Sequence, residues 1–208
     1  MKKIIQILFA FVMFSFAAHA ATKAPQTILV VGDSLSAEYG LKKGDGWVLL
    51  LEKKLAENKI TATINNASIS GETTSGGKSR IDGLLQKYKP TLVIIELGAN
   101  DAIRGLPLKN TRENLDYITL RSIGTGAKVL IVGMQIPPNF GGNYARDFSA
   151  IFSSVAITHK VPLVEFFLKG VADIPDSLSL FQADRAHPNA TAQPIMLENV
   201  WIKLKKML

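Results

Sequence analysis

The chain has 208 residues, of which 20% are charged, and a formal net charge of +7. It contains no cysteine, which excludes disulfides, thiolate nucleophiles and cysteine-based metal sites. Its lysines and arginines are scattered rather than grouped in a basic run interleaved with aromatic residues, so nucleic acid is not an expected partner.

Residues 1–20 have the pattern of a secretory signal peptide. Two lysines precede an apolar run over residues 4–17, and a small-x-small cleavage site ends at Ala20. The run is short for a bilayer span of about 20 residues, so an uncleaved membrane anchor is the less favoured alternative. Cleavage removes both lysines and lowers the net charge from +7 to +5. We expect residues 21–208 to form a single exported domain, periplasmic or secreted, and to be monomeric.

Five apolar segments are predicted to be strands. The first, residues 28–31, is a run of β-branched and leucine side chains without polar alternation, which is typical of a strand covered on both faces. The other four segments are residues 61–66, 91–96, 128–133 and 161–165. The segments between them repeat apolar residues at the spacing of one helix face. These predicted helices are residues 46–59, 78–89, 111–125, 144–160 and 191–207.

The alternation of strand and helix predicts an α/β fold. Right-handed crossovers then favour a three-layer α/β/α sandwich with a five-stranded parallel sheet. Two loops, residues 134–143 and 170–187, are longer and more apolar than simple connections require. Both follow predicted strands, so they belong at the same rim of the sheet. They either bind an apolar ligand or close over the end of the core.

Ser34 follows the first predicted strand, at the edge where ligands bind in open α/β sheets. It is either a nucleophile or, together with Asp33, a cap of the following segment. A serine nucleophile needs a base, and residues 21–208 contain two histidines. His159 lies at a predicted helix end, where a histidine interacts favourably with the helix dipole. His187 follows Asp184 by three residues, close enough for the carboxylate to accept a hydrogen bond from Nδ1.

Attack on an acyl carbonyl also requires donors for the oxyanion that forms. Three candidates follow different predicted strands: the N–H of Ser34, the N–H of Gly71 and the side-chain amide of Asn100. A turn glycine and a helix-capping asparagine are the alternative roles. Taken alone, the pair Asp184-x-x-His187 is likewise compatible with an ordinary turn.

Four blocks together resemble the SGNH (GDSL) hydrolase family, and they occur in that family's order. The blocks are Gly32-Asp33-Ser34-Leu35, Gly71, Gly98-x-Asn100-Asp101 and Asp184-x-x-His187. Residues 31–37 and 97–101 resemble the exported thioesterase I / lysophospholipase L1 / arylesterase subgroup. The resemblance implies a flavodoxin-like sandwich, a catalytic triad and an oxyanion hole. The triad would be Ser34, His187 and Asp184, and the oxyanion donors Ser34, Gly71 and Asn100.

The resemblance also implies hydrolysis of acyl esters and thioesters without a metal or cofactor. Aryl esters, acyl-CoA and membrane-derived lysophospholipids are the expected substrate classes. We expect an acyl groove lined by Leu106, Pro107, Ile136, Pro137 and Leu178. Glu38 and Gly40 depart from the family pattern, which expects less acidic and bulkier residues there, and this leaves the preferred acyl chain length open.

Three alternatives remain open at this point. The first is a phosphate-binding loop over residues 71–79, although five residues separate Gly71 from Gly77-Lys78-Ser79 where the motif has four. The second is an exported esterase that acts on acylated carbohydrates. The third is a non-catalytic lipid- or glycan-binding module on the same fold.

Overall fold

The computed structural model describes residues 25–208, so the predicted signal peptide lies outside the described residues. Its centre is a parallel five-stranded sheet in the order β2-β1-β3-β4-β5, which is the flavodoxin-like order. The strands are β1 (Gln26–Gly32), β2 (Ala62–Asn66), β3 (Leu92–Glu96), β4 (Lys128–Val132) and β5 (Leu163–Val164). The predicted fold class and all five strands are confirmed, although β5 is only two residues long.

Helices cover both faces of the sheet. They are α1 (Trp47–Glu57), α2 (Thr74–Tyr88), α3 (Ala99–Ile103), α4 (Leu108–Gly124), α5 (Gly142–His159) and α6 (Gln193–Leu204). Helix α1 packs against α6, while α2 and α5 both pack against α4. No helix within residues 25–208 is long and apolar enough to cross a membrane.

Strand β1 is the centre of the core. Its residues 28–31 are fully buried, because β2 and β3 pair with its two edges and helices cover its two faces. The register aligns Gly32 at the end of β1 with Glu96 at the end of β3. Strands β2 and β3 lie on opposite sides of β1 and run parallel to it, so the loops that follow β1, β2 and β3 lie at the same edge of the sheet.

Helix α2 begins four residues before the predicted start at residue 78. The Thr73 side chain accepts a hydrogen bond from the N–H of Gly76 and caps the helix. Gly77 has a packing role, since an added Cβ would lie 2.4 Å from Leu97 Cδ1. Two glycines in the first turn concealed this start in the sequence. The segment that resembles a phosphate-binding loop is therefore largely helical.

Glu38 and Gly40 have structural roles. Glu38 has a left-handed φ of 58°, and its carboxylate accepts hydrogen bonds from the N–H groups of Gly44 and Gly46. Gly40 has a φ of 68°, and an added Cβ would lie 2.0 Å from Gln182 Oε1. Both residues therefore shape the loop between β1 and α1.

Candidate active site

Ser34 lies in a turn that is fixed from several sides. The Asp33 carboxylate accepts a hydrogen bond from the N–H of Leu35 at 3.0 Å, which is the backbone contact expected of Asp33. The Asn66 side chain, at the end of β2, donates to the carbonyl of Ser36 at 2.7 Å. The turn therefore holds the Ser34 hydroxyl at the carboxyl edge of the sheet.

His187 and Asp184 reach Ser34 from the loop before α6. His187 Nε2 lies 3.0 Å from Ser34 Oγ, and His187 Nδ1 lies 2.7 Å from Asp184 Oδ2. The other Asp184 oxygen accepts hydrogen bonds from the N–H groups of Ala186 and His187, each at 3.0 Å. These backbone bonds, with the His187 side chain, lower the pKa of Asp184 to about 2. Asp184 is thus ionised at neutral pH and orients the imidazole.

Tyr39 is a neighbour of this pair that the sequence did not reveal. Its ring lies 4.4 Å, centroid to centroid, from the imidazole of His187. The Gln182 side chain donates to the carbonyl of Tyr39 at 2.9 Å and joins the loop after β1 to the loop that carries His187. Nothing in the local pattern around Tyr39 marks it, because the contact joins residues distant in sequence.

Each of the three predicted oxyanion donors keeps an N–H group without an acceptor among residues 25–208. Within residues 25–208, neither the N–H of Ser34 nor that of Gly71 has an acceptor. Gly71 has a φ of 77°, a conformation that favours glycine, and its carbonyl accepts a hydrogen bond from Arg104 at 2.8 Å. Asn100 Nδ2 donates to Asp33 Oδ2 at 3.0 Å, which leaves its second N–H unused.

Two buried carboxyl groups lie beneath the turn. Asp33 is 1% exposed and Glu96 is fully buried. Burial raises the pKa of Asp33 to about 6, and burial together with the charge of Asp33 raises the pKa of Glu96 well above its usual value. Glu96 could not be assigned to the site from the sequence, since an acidic residue at the end of an apolar strand does not by itself indicate a catalytic role.

The five predicted groove residues lie on three loops. Leu106 is half-buried, Pro107 and Pro137 are exposed, and Leu178 is 60% exposed. Ile136 is only 8% exposed and packs with the core, so it offers an acyl chain less surface than the others. No group of three metal-ligating side chains occurs in the part of the chain that the structure describes.

His159 lies outside this site. Its Nε2 is 2.9 Å from Asp116 Oδ1 on the neighbouring helix α4, and its side chain is 14% exposed. This placement agrees with the helix-end role expected from the sequence.

The sequence matches the profile of the GDSL-like lipase/acylhydrolase family over residues 30–193. The chain belongs to this family. The matched range includes Ser34, Gly71, Asn100, Asp184 and His187, so every residue of the proposed constellation lies within the GDSL-like domain.

Similar proteins cover most of this GDSL-like chain. Esterase TesA of Pseudomonas aeruginosa is 47% identical over 185 residues, 89% of this chain and 90% of the relative. The arylesterase of Vibrio mimicus is 39% identical over 97% of this chain and 98% of its own. Thioesterase 1/protease 1/lysophospholipase L1 of Escherichia coli K12 is 36% identical over 90% and 85%. A crystal structure of TesA superimposes with a TM-score of 0.84 at 47% identity, covering 88% of this chain and all of that one.

Proposed function

We propose that this GDSL-like protein hydrolyses acyl esters and thioesters through an acyl-enzyme on Ser34. The observation that carries the proposal is the pair of contacts from Ser34 Oγ to His187 Nε2 at 3.0 Å and from His187 Nδ1 to Asp184 at 2.7 Å. A serine that contacts an imidazole, itself oriented by a carboxylate, is the arrangement of an activated nucleophile.

In the proposed mechanism, His187 Nε2 removes the proton from Ser34 Oγ as the oxygen attacks the acyl carbonyl. The N–H groups of Ser34 and Gly71 and the amide of Asn100 donate to the oxyanion. His187 then protonates the departing alcohol or thiol, which leaves an acyl group on Ser34. Water, deprotonated by His187, attacks this acyl-enzyme and releases the acid.

Apolar surface beside the constellation supports an acyl substrate. Tyr39, which contacts His187, is 49% exposed, and Ile69, two residues before Gly71, is 51% exposed. We propose that the acyl chain binds against Tyr39 and Ile69 and along the five predicted groove residues. Aryl esters, acyl-CoA and lysophospholipids are the proposed substrates, in keeping with the names of the relatives.

These contacts and names favour a hydrolase over a non-catalytic binding module and over an esterase specific for acylated carbohydrates. We also propose that residues 1–20 direct export and are removed, so that a monomeric enzyme acts outside the cytoplasm. Mass spectrometry of the protein secreted by its host tests this: a chain that begins at residue 21 supports export, and retention of residues 1–20 contradicts it.

The activity is tested with p-nitrophenyl esters of increasing chain length, an acyl-CoA and a lysophospholipid. We expect hydrolysis of the esters and the thioester, and loss of turnover by about 10³-fold or more in Ser34→Ala. Ser79→Ala, which removes an exposed hydroxyl on α2, is the matched control and should keep wild-type turnover. Hydrolysis by Ser34→Ala at the wild-type rate would contradict the proposal.

A further inference from the structure

Glu96 is a fully buried residue at the end of β3, and the proposed mechanism gives it no role. Its Oε2 accepts hydrogen bonds from the N–H of Asp33 at 3.3 Å and from Ser36 Oγ at 2.7 Å. The neighbouring strand leaves space for it: a Cβ added to Gly32 would lie 2.8 Å from both Glu96 Oε2 and Ser36 Oγ. Position 32 is therefore a glycine because a side chain there would collide with the Glu96 carboxyl, and not because the backbone has an unusual conformation.

The surroundings of Glu96 favour its neutral form. Its Oε1 is buried without a hydrogen-bond partner among residues 25–208, and no lysine, arginine or histidine of this range forms an ion pair with it. An ionised carboxylate in such a place has a high desolvation cost. Glu96 and Asp33 are both buried and are joined through the N–H of Asp33, so ionisation of both carboxyls would place two negative charges in one buried site.

Both carboxyls are buried, which raises the pKa of Asp33 to about 6, and burial together with the charge of Asp33 raises the pKa of Glu96 well above its usual value. Leu35 and Asn100 donate hydrogen bonds to the Asp33 carboxylate, whereas no lysine, arginine or histidine of residues 25–208 forms an ion pair with Glu96. These contacts favour ionisation of Asp33 and protonation of Glu96.

A series of hydrogen-bonded residues runs from helix α1 through Glu96 and Asp33 to Asn100. Trp47 Nε1 donates to Ser36 Oγ at 3.2 Å, and Ser36 Oγ donates to Glu96. Glu96 also accepts from the N–H of Asp33, and the Asp33 carboxylate accepts through Oδ2 from Asn100 Nδ2 at 3.0 Å. One N–H of the Asn100 amide is thereby fixed, and the other is directed away from Asp33.

We infer that Glu96 is a neutral positioning residue, which holds the turn through the N–H of Asp33 and the hydroxyl of Ser36, so that the Asp33 carboxylate orients the Asn100 amide toward the oxyanion. This inference rests on the proposed function, because it assigns Glu96 a task in the same reaction. Glu96 does not touch the substrate. Its loss should therefore lower kcat more than it changes KM, since an oxyanion donor acts in the transition state.

The test compares Glu96→Gln and Glu96→Leu with the wild-type enzyme. Glutamine is neutral and of the same shape, with one accepting oxygen and one donor group, so kcat should stay within about threefold of wild type. Leucine cannot bond to Asp33 or Ser36, and misplacement of the amide should lower kcat by about 10- to 100-fold, with KM within about threefold. Leu85→Ala, a core truncation in α2, is the control for destabilisation alone and should keep wild-type kcat.

A second measurement does not depend on activity. In wild-type protein labelled with 13C at glutamate Cδ, the Glu96 signal, assigned by its loss in Glu96→Gln, should show a protonated carboxyl at about pH 7. The 13C measurement can be made even if Glu96→Leu fails to fold. In that case kcat of Glu96→Gln alone tests the role of Glu96 in the reaction. An ionised Glu96 at that pH, a Glu96→Leu enzyme with wild-type kcat, or a Glu96→Gln enzyme more than tenfold impaired would each overturn the inference. An inactive wild-type enzyme would instead overturn the proposed function, and the two failures are therefore distinguishable.

Discussion

The Asn100 amide is the donor whose removal tests the proposed oxyanion hole most selectively. Ser34 and Gly71 contribute backbone N–H groups, which substitution leaves in place, whereas Asn100→Ala deletes the donor itself. Asn100 Nδ2 is held by Asp33 at 3.0 Å, so in the wild-type enzyme the amide is oriented before substrate arrives. A donor oriented in this way stabilises the transition state without a reorganisation cost.

We expect Asn100→Ala to lower kcat by about 10²- to 10³-fold, which corresponds to about 2.7 to 4 kcal/mol of lost transition-state stabilisation. KM should change little, because the donor contributes chiefly when negative charge develops on the oxygen. The variant should also lose about 1 to 3 kcal/mol of stability, since Asp33 is 1% exposed and loses one of its hydrogen-bond donors.

The assay is steady-state hydrolysis of a short-chain p-nitrophenyl ester, run well below the melting temperature of the variant. Asn110→Ala is the matched control, because it removes the same type of side chain from an exposed position of helix α4 and should keep wild-type kcat. Wild-type kcat in Asn100→Ala, or a change confined to KM, would falsify the assignment of this amide to the oxyanion.

Three further predictions concern the residues around Ser34. Asp184→Asn should lower kcat by about 10²- to 10⁴-fold in the same assay, because the imidazole of His187 loses the acceptor that fixes its tautomer; unchanged kcat would exclude Asp184 from the triad. Gly71→Ala should lower the free energy of unfolding by about 1 to 2 kcal/mol in urea titrations, since its φ of 77° disfavours a Cβ that would lie 3.4 Å from Arg104; equal stability would contradict this. Burial raises the folded-state pKa of Asp33 from 3.8 to about 6, so the folded state binds the proton more tightly than the unfolded state. The free energy of unfolding of the wild-type protein should therefore fall as pH rises from about 4 to 6. Denaturant titrations of Asp33→Asn should show a smaller dependence of this free energy on pH, and an equal dependence would refute the assignment.

The sheet could be predicted from the sequence. Residues 28–31 are apolar without alternation, a pattern typical of a strand buried on both faces, and these residues are fully buried in β1. Parallel strands end at a common edge, so polar residues that follow different strands meet there. Together with the resemblance to SGNH hydrolases, this common edge predicted that Ser34, Asn100 and His187 converge, and the structure places Ser34 and His187 in contact.

The supporting contacts could not be predicted, because they depend on exact register and packing. Glu96 contacts Asp33 and Ser36 across 63 and 60 residues of sequence. An acidic residue at the end of a strand has the same local pattern whether it is buried or exposed. The start of α2 was misplaced for a related reason: Gly77 is a poor helix former in isolation, and only its close packing against Leu97 explains its position.

Ser34 is the proposed nucleophile, and covalent labelling tests this assignment most directly. The purified protein is treated with an alkyl fluorophosphonate and analysed by intact mass and peptide mapping. We expect one adduct per chain, on Ser34, together with loss of esterase activity in proportion to labelling, and no adduct in Ser34→Ala. An adduct on a different residue, or full labelling of Ser34→Ala, would contradict the account.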